Sequence, residues 1–529
     1  MNSKFYNIVS LPKAAGFPLN LRPSRPDLWA RQAASLHFGK ERVDTIMNTL
    51  HRSTMDYDLM VEDLLKYNRK HVPRIKRDSY LLAVESIKQD LGKAKIIPLT
   101  MGAVPARPDF PGAKSPGLPY KLEGYRSKQE CIDAGKLHEI NRVWQNISRG
   151  KHEFLPDVCL FARAQIARVG KEKIRATWGY PLHVYCEEGR FFYPLLDYIK
   201  EFQHNLPIAY GLEMSHGGME YINEMLAQSR TGKYLCTDWS NFDKTIPPWL
   251  IRDAFAVLSE IIDFSRVKDV EGYIWDVNPN LSIRRWKRMI DYFINTPIRT
   301  CKGDRYLVIG GVPSGSCWTN IIDSIINVIV TRWCLYETTG AFPVHEMCLG
   351  DDGFFIIEQG CVSLEDIAKL ALEHFGMILN VAKSYVTTDK RNVHFLGYFN
   401  FAGFPFKNQD FLIASFIHPE HTRQTGVEAC AAALGQLWSG FDSVMAVQWY
   451  RIIRTIANFE NLSNEEIVLH IRSHPHRHKY LMHVGIDVTK ITLPEPINGH
   501  IHCVKPQTCT RKPRPRRYNY QALWNEVLA

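Results

Sequence analysis

Apolar positions along this chain recur at two different periods. Lys233-Tyr234-Leu235-Cys236-Thr237 is β-prone and ends at Asp238. After Pro247-Pro248, the residues Leu250, Ala254, Phe255, Leu258, Ile261 and Ile262 recur at helical spacing, which predicts a helix there. Thr300 to Ile309 predicts a hairpin around Lys302-Gly303-Asp304. From about Trp318 the pattern predicts a helix in which Thr319, Asp323 and Asn327 form one polar stripe. The other faces of that helix carry Ile321, Ile322, Ile325, Ile326, Val328 and Ile329. Met347-Cys348-Leu349 and Phe354-Phe355-Ile356-Ile357 then flank Gly350-Asp351-Asp352-Gly353, a predicted hairpin with two carboxylates at its tip. Leu364 to Phe375 is an amphipathic helix stopped by Gly376, and Val393 to Phe399 is β-prone. From about residue 401 the pattern is mainly helical.

The loops between these elements carry the candidate chemistry. Prolines at 105, 108, 111, 116 and 119 make an extended connector ending in Lys114-Ser115-Pro116-Gly117-Leu118-Pro119-Tyr120. Its backbone N–H groups suit an approach to a phosphate chain. In an extended stretch Lys171, Lys173 and Arg175 share one face. Such a face either meets an anion such as a triphosphate or guards an edge strand by charge. Asp238 sits at a strand end, where ligand sites gather, while Asp243 just before a helix also suits a cap. Two carboxylates on a hairpin tip repel unless a cation neutralises them. A pair of Mg²⁺ ions does so, and paired Mg²⁺ ions serve phosphoryl transfer.

Composition narrows the picture. A chain of 529 residues, 45% hydrophobic, supports roughly two to four domains or one multi-lobed body. The net charge of +10 favours an anionic partner. None of the 12 cysteines forms a Cys-x-x-Cys pair, so neither a zinc ribbon nor a disulfide framework is expected. The most apolar helical run, Ile321 to Tyr336, contains Asp323, Asn327 and Arg332, which suits a buried helix and no membrane. The basic runs at 66–77 and 284–288 suit solvated faces, and His470 to His483 suits a surface cluster without metal. From Lys505 to Arg517 the tail carries cations and no acid, a basic arm able to fold back towards a central cavity.

Taken in order, these segments resemble the viral RNA-dependent RNA polymerases. Lys114–Tyr120 looks like their motif G and Lys171–Arg175 like motif F. Asp238-x4-Asp243 looks like motif A, Ser314-Gly315-x3-Thr319 like motif B, and Gly350-Asp351-Asp352 like motif C. Lys383-Ser384 looks like motif D and Phe395-Leu396-Gly397-Tyr398 like motif E. The resemblance spans about residues 110 to 400 with motifs A, B and C unpermuted. Ile174-Arg175-Ala176-Thr177-Trp178-Gly179-Tyr180-Pro181, Asp238-Trp239-Ser240-Asn241-Phe242-Asp243 and Val312-Pro313-Ser314-Gly315-Ser316 are most similar to enzymes of the partitiviruses and picobirnaviruses, which carry bisegmented double-stranded RNA.

The resemblance implies an α+β right-handed polymerase fold with a closed fingers–thumb ring. Residues 1–180 would form the N-terminal region and fingers, and 181–245 the first part of the palm. Residues 246–305 would be a fingers insertion, 306–400 the second palm part, and 401–529 the thumb and basic tail. It implies two-metal nucleotidyl transfer from rNTPs, with Asp238, Asp351 and Asp352 holding two Mg²⁺ ions, Mn²⁺ being a substitute. Lys383 would protonate pyrophosphate. Lys171, Lys173, Arg175, Asp243, Ser314, Gly315, Thr319, Asp323 and Asn327 would line the nucleotide site, and Ser115, Gly117 and Tyr398 would meet RNA. The implied partners are single- and double-stranded viral RNA, rNTPs and a capsid protein, around a monomeric enzyme in the virion interior and host cytoplasm. One departure stands out: Asp323 occupies a motif B position where many plus-strand relatives carry Asn. Facing Asp243, it repels unless one of the two is protonated or bridged. The competing classes are a reverse transcriptase, disfavoured by Asp243 where those enzymes carry a bulky aromatic, and a non-enzymatic RNA-binding, capsid-associated protein.

Overall fold

A computed structural model describes residues 4–202 and 206–529. Its centre is a four-stranded antiparallel sheet with the spatial order His345–Leu349, Asp352–Ile357, Lys233–Thr237 and Tyr385–Thr387. Side chains alternate across this sheet, and both faces are covered. Leu235, Phe355 and Ile357 enter the main core, which contains the apolar face of the Thr319–Thr339 helix. Tyr234, Cys236, Phe354 and Ile356 enter a second core with Met219, Ile222 and Met225 of the Gly218–Ala227 helix. A sheet buried on both sides is a stiff support for groups at its strand ends.

A second sheet has the order Ile8–Leu11, Arg305–Ile309, Asn295–Arg299, Val158–Ala164 and Ile174–Gly179. The hairpin around Lys302-Gly303-Asp304 forms as the sequence predicts, with Arg299 opposite Arg305. A third body is helical. Its core joins Gln409–Ile417, Gly426–Ser439, Met445–Glu460 and Asn464–Ser473 to two early helices, Leu28–Phe38 and Lys40–Thr49. Those early helices belong to the 1–180 block by sequence, yet Ala30, Ala33, Ala34, Val43 and Ile46 pack in the thumb-side core. Their small and β-branched residues allow the close helix approach. The segment before them ties across, with Asp27 N–H donating to Ile417 O at 2.8 Å and Asp27 pairing with Arg423 at 3.0 Å. Arg163 of the second sheet meets Glu420 at 3.0 Å, and Arg52 donates to His418 O. These contacts join the helical body to the second sheet and the segment beside it.

Two sequence expectations fail here. The run at 284–288 is not merely a solvated face, because Arg285 grips the fully buried Glu187, which Arg190 also pairs. A buried acid draws cations inward. The basic tail does not turn into the cavity. Gln507 N–H donates to Ser215 O, Gln228 Nε2 to Pro513 O and Arg516 N–H to Val344 O. Arg516 also pairs with the buried Glu346 at 2.5 Å, beside Arg332, Asp90 and Tyr518. The final helix, Tyr520–Leu528, packs on Asp78–Leu91 with Leu523 fully buried. Apolar residues spaced through the tail override its charge and make it a strap behind the four-stranded sheet.

Leu523→Ala is therefore expected to cost ~2–4 kcal/mol and lower the melting temperature. A melting temperature equal to wild type would show that the strap bears no load.

Candidate active site

The acidic tip is built by register. Leu349 pairs with Asp352, leaving Gly350 and Asp351 as the turn, with Gly350 at φ 63°. On the neighbouring strand Thr237 lies opposite Gly353, so Asp238 emerges next to Asp352. The Thr319–Thr339 helix holds the turn from behind. Gly350 N–H donates to Ser324 Oγ at 2.9 Å, and Asn327 Nδ2 donates to the carbonyls of Gly350 and Asp351, both at 3.2 Å. Asp238 is fixed through its backbone, its N–H donating to Ser384 Oγ at 2.9 Å and its carbonyl accepting from Asn380 N–H.

The acids crowd one another. Burial pushes Asp351 up, and Asp243 and Asp238 add to the push while Arg175 opposes it. Burial, with Asp351 and Asp238, carries Asp352 up to about 7. Its Oδ2 accepts the Leu396 N–H at 2.7 Å. Leu396 and Gly397 turn their hairpin with φ of 52° and 83°, a left-handed pair that strains a leucine. The bond from Asp352 offsets that strain and couples the motif C tip to motif E. Asp323 is buried and held well above the usual carboxylate range, first by burial and then by the charge of Asp243 beside it. A carboxyl held that high favours its neutral form, which lessens the repulsion foreseen between the two. The other oxygen of Asp323, Oδ1, is buried with no partner among the described residues.

This donor set suits a hard divalent cation. It is all carboxylate oxygen, and the repulsion that raises these groups is what such an ion removes. Among the described residues no three such side chains are already drawn together as a finished ligand shell.

On the open side Arg175 reaches Asp243 at 3.6 Å. Lys171 and Lys173 are exposed but lie in coil before the Ile174–Gly179 strand, so the three cations do not share a strand face. The motif B loop is clamped to that strand. Trp178 N–H donates to Ser314 O at 2.8 Å, and a Cβ on Gly315 would lie 1.9 Å from Trp178 O, so only glycine fits. Thr319 Oγ1 donates to Pro313 O at 2.6 Å and stays with the loop. Lys383 stands exposed on a turn one residue before Ser384.

Three expected contact residues are each held by another part of the protein. Asn327 is fully buried, and its amide supports the turn, out of a nucleotide's reach. Gly117 is buried against Tyr180 and Pro181, its N–H donating to Ser115 Oγ. Tyr398 is 2% exposed and its hydroxyl donates to Ser439 O. Lys114, Ser115 and Tyr398 do line a cavity of about 1090 Å³, with Ser314, Gly315, Lys407 and Lys479 on its other walls. No residue from 505 onward lines it.

Sequence reasoning missed Ser324, Lys128 and Glu188. Lys128 is buried, and its Nζ donates to Ser115 O at 2.5 Å, which fixes the motif G loop. Glu188 is fully buried on the Leu182–Phe202 helix, bonded to Ser316 Oγ at 2.5 Å and accepting the Cys317 N–H at 3.1 Å. The signal was available: two adjacent acids in an aromatic-rich helical run need partners. Burial pushes Glu188 up to about 8 from 4.5. Between those values the native state binds the extra proton, so this group's contribution to stability falls as pH rises, and levels off above about 8. Glu188→Gln imitates the protonated acid. It is expected to flatten that part of the pH dependence in thermal melts, and an unchanged slope would exclude this carboxyl as its source.

The chain is 28% identical over 322 residues to the RNA-directed RNA polymerase of Atkinsonella hypoxylon virus (isolate 2H), covering 52% of this chain and 46% of that one. It is 25% identical over 354 residues to the RNA-directed RNA polymerase of Cryptosporidium parvum virus 1 (strain KSU-1), covering 62% and 63%. The matches therefore span less than two-thirds of these relatives. The crystal structure of the RNA-dependent RNA polymerase of a human picobirnavirus superposes with a TM-score of 0.60 at 15% identity, over 89% of this chain and 90% of that one, and so shares the fold. The profile of the viral RNA-dependent RNA polymerases matches residues 33–399, and the chain belongs to that family.

Proposed function

We propose that this protein performs template-directed RNA synthesis from rNTPs, replicating and transcribing a viral double-stranded RNA genome. The observation that supports the proposal is the register that sets Asp238, Asp351 and Asp352 at the ends of neighbouring strands, with Arg175 paired to Asp243 beside them. Two Mg²⁺ ions held by Asp238 and Asp351, with Asp352 beside them and Mn²⁺ as a substitute, would supply positive charge that activates a 3′-hydroxyl and neutralises departing pyrophosphate.

The chain's own residues do the sorting and positioning. Arg175 meets the triphosphate, with Lys171 and Lys173 drawing it in. That competition loosens Asp243 from the guanidinium, and the freed carboxylate accepts the ribose 2′-hydroxyl. Asp323, keeping its proton, steadies Asp243 from behind. Ser314, Gly315 and Thr319 form the loop wall beneath the nucleotide. Lys383, on its exposed turn, gives a proton to pyrophosphate. Lys114 and Ser115 guide the template along the cavity wall. The same proposal puts the protein in the virion interior and host cytoplasm, as a monomeric catalytic unit beside a capsid protein.

Asp351→Asn is expected to reduce nucleotide incorporation on a short single-stranded RNA template by on the order of a thousandfold while sparing RNA binding. Retained synthesis would remove Asp351 from its role. Asp243→Ala is expected to narrow the preference for rNTPs over dNTPs, scored as the ratio of kcat/KM values. A wild-type enzyme that favours dNTPs would instead point to reverse transcription.

A further inference from the structure

The end of the Tyr57–Leu65 helix lies outside every motif described above, yet it touches three of them. Asp63 is buried, and its two carboxylate oxygens divide their work. Oδ2 accepts the backbone N–H of Ala176 at 2.8 Å, in motif F. Oδ1 faces the ammonium of Lys244 at 3.5 Å, in motif A, and that of Lys66 at the same distance. Ala176 directly follows Arg175, and Lys244 directly follows Asp243. One carboxylate thus joins the neighbours of both members of the Arg175–Asp243 pair.

Tyr67 completes the bracket. It is buried, with its hydroxyl donating to Val312 O at 2.7 Å and its ring 5.2 Å from that of Trp178. A Cβ on Gly311 would lie 2.5 Å from the Tyr67 ring, so the motif B loop has been shaped around it. Lys244 Nζ lies 5.8 Å from the centre of the same ring. Val312 N–H in turn donates to Asp243 O at 2.7 Å. The backbone of Asp243 is therefore held on one side through Val312 and on the other through Lys244.

We infer that Asp63 is a positioning residue for ribonucleotide selection: it sets the spacing of Arg175 and Asp243 from behind, without touching the nucleotide. This rests on the proposed polymerase function. Lys244 is the lever, because a largely enclosed ammonium facing one carboxylate oxygen has few other places to go. The bracket acts on where the triphosphate and sugar are gripped and leaves the acidic tip itself alone.

The test uses the full-length protein and two variants. Asp63→Asn keeps an oxygen for Ala176 N–H and loses the charge that holds Lys244. Lys244→Gln keeps Asp63 and removes the cation. Each is titrated with ATP and dATP in an equilibrium binding assay and then assayed for incorporation. Both variants are expected to raise KM for ATP by about tenfold, to narrow the ATP-over-dATP binding ratio, and to leave kcat within about twofold. A folded variant with unchanged KM and an unchanged binding ratio overturns the inference, as does a fall in kcat alone. If Asp63→Asn does not fold, Lys244→Gln decides alone. A wild-type protein that binds ATP over dATP but incorporates neither would refute the polymerase proposal and leave the binding arm to judge the bracket.

Discussion

Crowded negative charge is the constraint around which this molecule is arranged. At an effective dielectric of about 20, two charges about 5 Å apart repel by roughly 3 kcal/mol, more than the ~1 kcal/mol net of an ordinary hydrogen bond. Hydrogen bonds from Ser324 and Asn327 hold the backbone of the turn, but they cannot keep every acid charged. The protein answers with protons and one cation. Burial and Asp243 hold Asp323 well above the usual carboxylate range, Asp352 rises to about 7, and Arg175 stands across from Asp243. A site balanced this way has a strong appetite for added positive charge, and its acids are poised to give up protons to obtain it.

Stiffness is the counterpart of that crowding. Strands bearing mutually repelling tips would splay if one face were free. Here both faces are packed, with Leu235 and Phe355 on one side and Tyr234, Cys236 and Phe354 on the other. The rear of the sheet is tied again by Glu346, the second residue of the strand that runs into the turn, which meets Arg332 and Arg516. Elements remote in sequence, the tail strap and the Asp63–Tyr67 bracket, thus press on the same small region from opposite sides.

The parts of the fold legible in the sequence were those governed by local pattern. The acidic hairpin, the strand ending at Asp238, the helix after Pro247 and the buried helix from Thr319 all follow from period and turn chemistry. The polar stripe on that helix was also visible, but not its division of labour. Thr319 serves the loop and Asn327 the turn, and only Asp323 faces Asp243. What the pattern hid was long-range. Nothing local says that helices at 28–49 join a core with 409–473, or that Asp63 reaches Ala176 and Lys244. The tail misled because charge is easily read, whereas the burial of Leu523 and Tyr518 depends on a surface contributed from far away.

An acid at position 323 in place of an amide has a physical logic. A protonated carboxyl and a carboxamide both offer one donor and one acceptor edge, so Asp323 can face Asp243 much as an asparagine would. The difference is that the acid's donor is conditional. It exists only while burial and the neighbouring carboxylate hold the proton in place, and Arg175 works against that hold. Whatever draws Arg175 away from the acids removes the charge that works against Asp323's hold on its proton and frees Asp243 from its ion pair. In this chain the recruitment of one charged group and the protonation of another are therefore coupled through a single guanidinium.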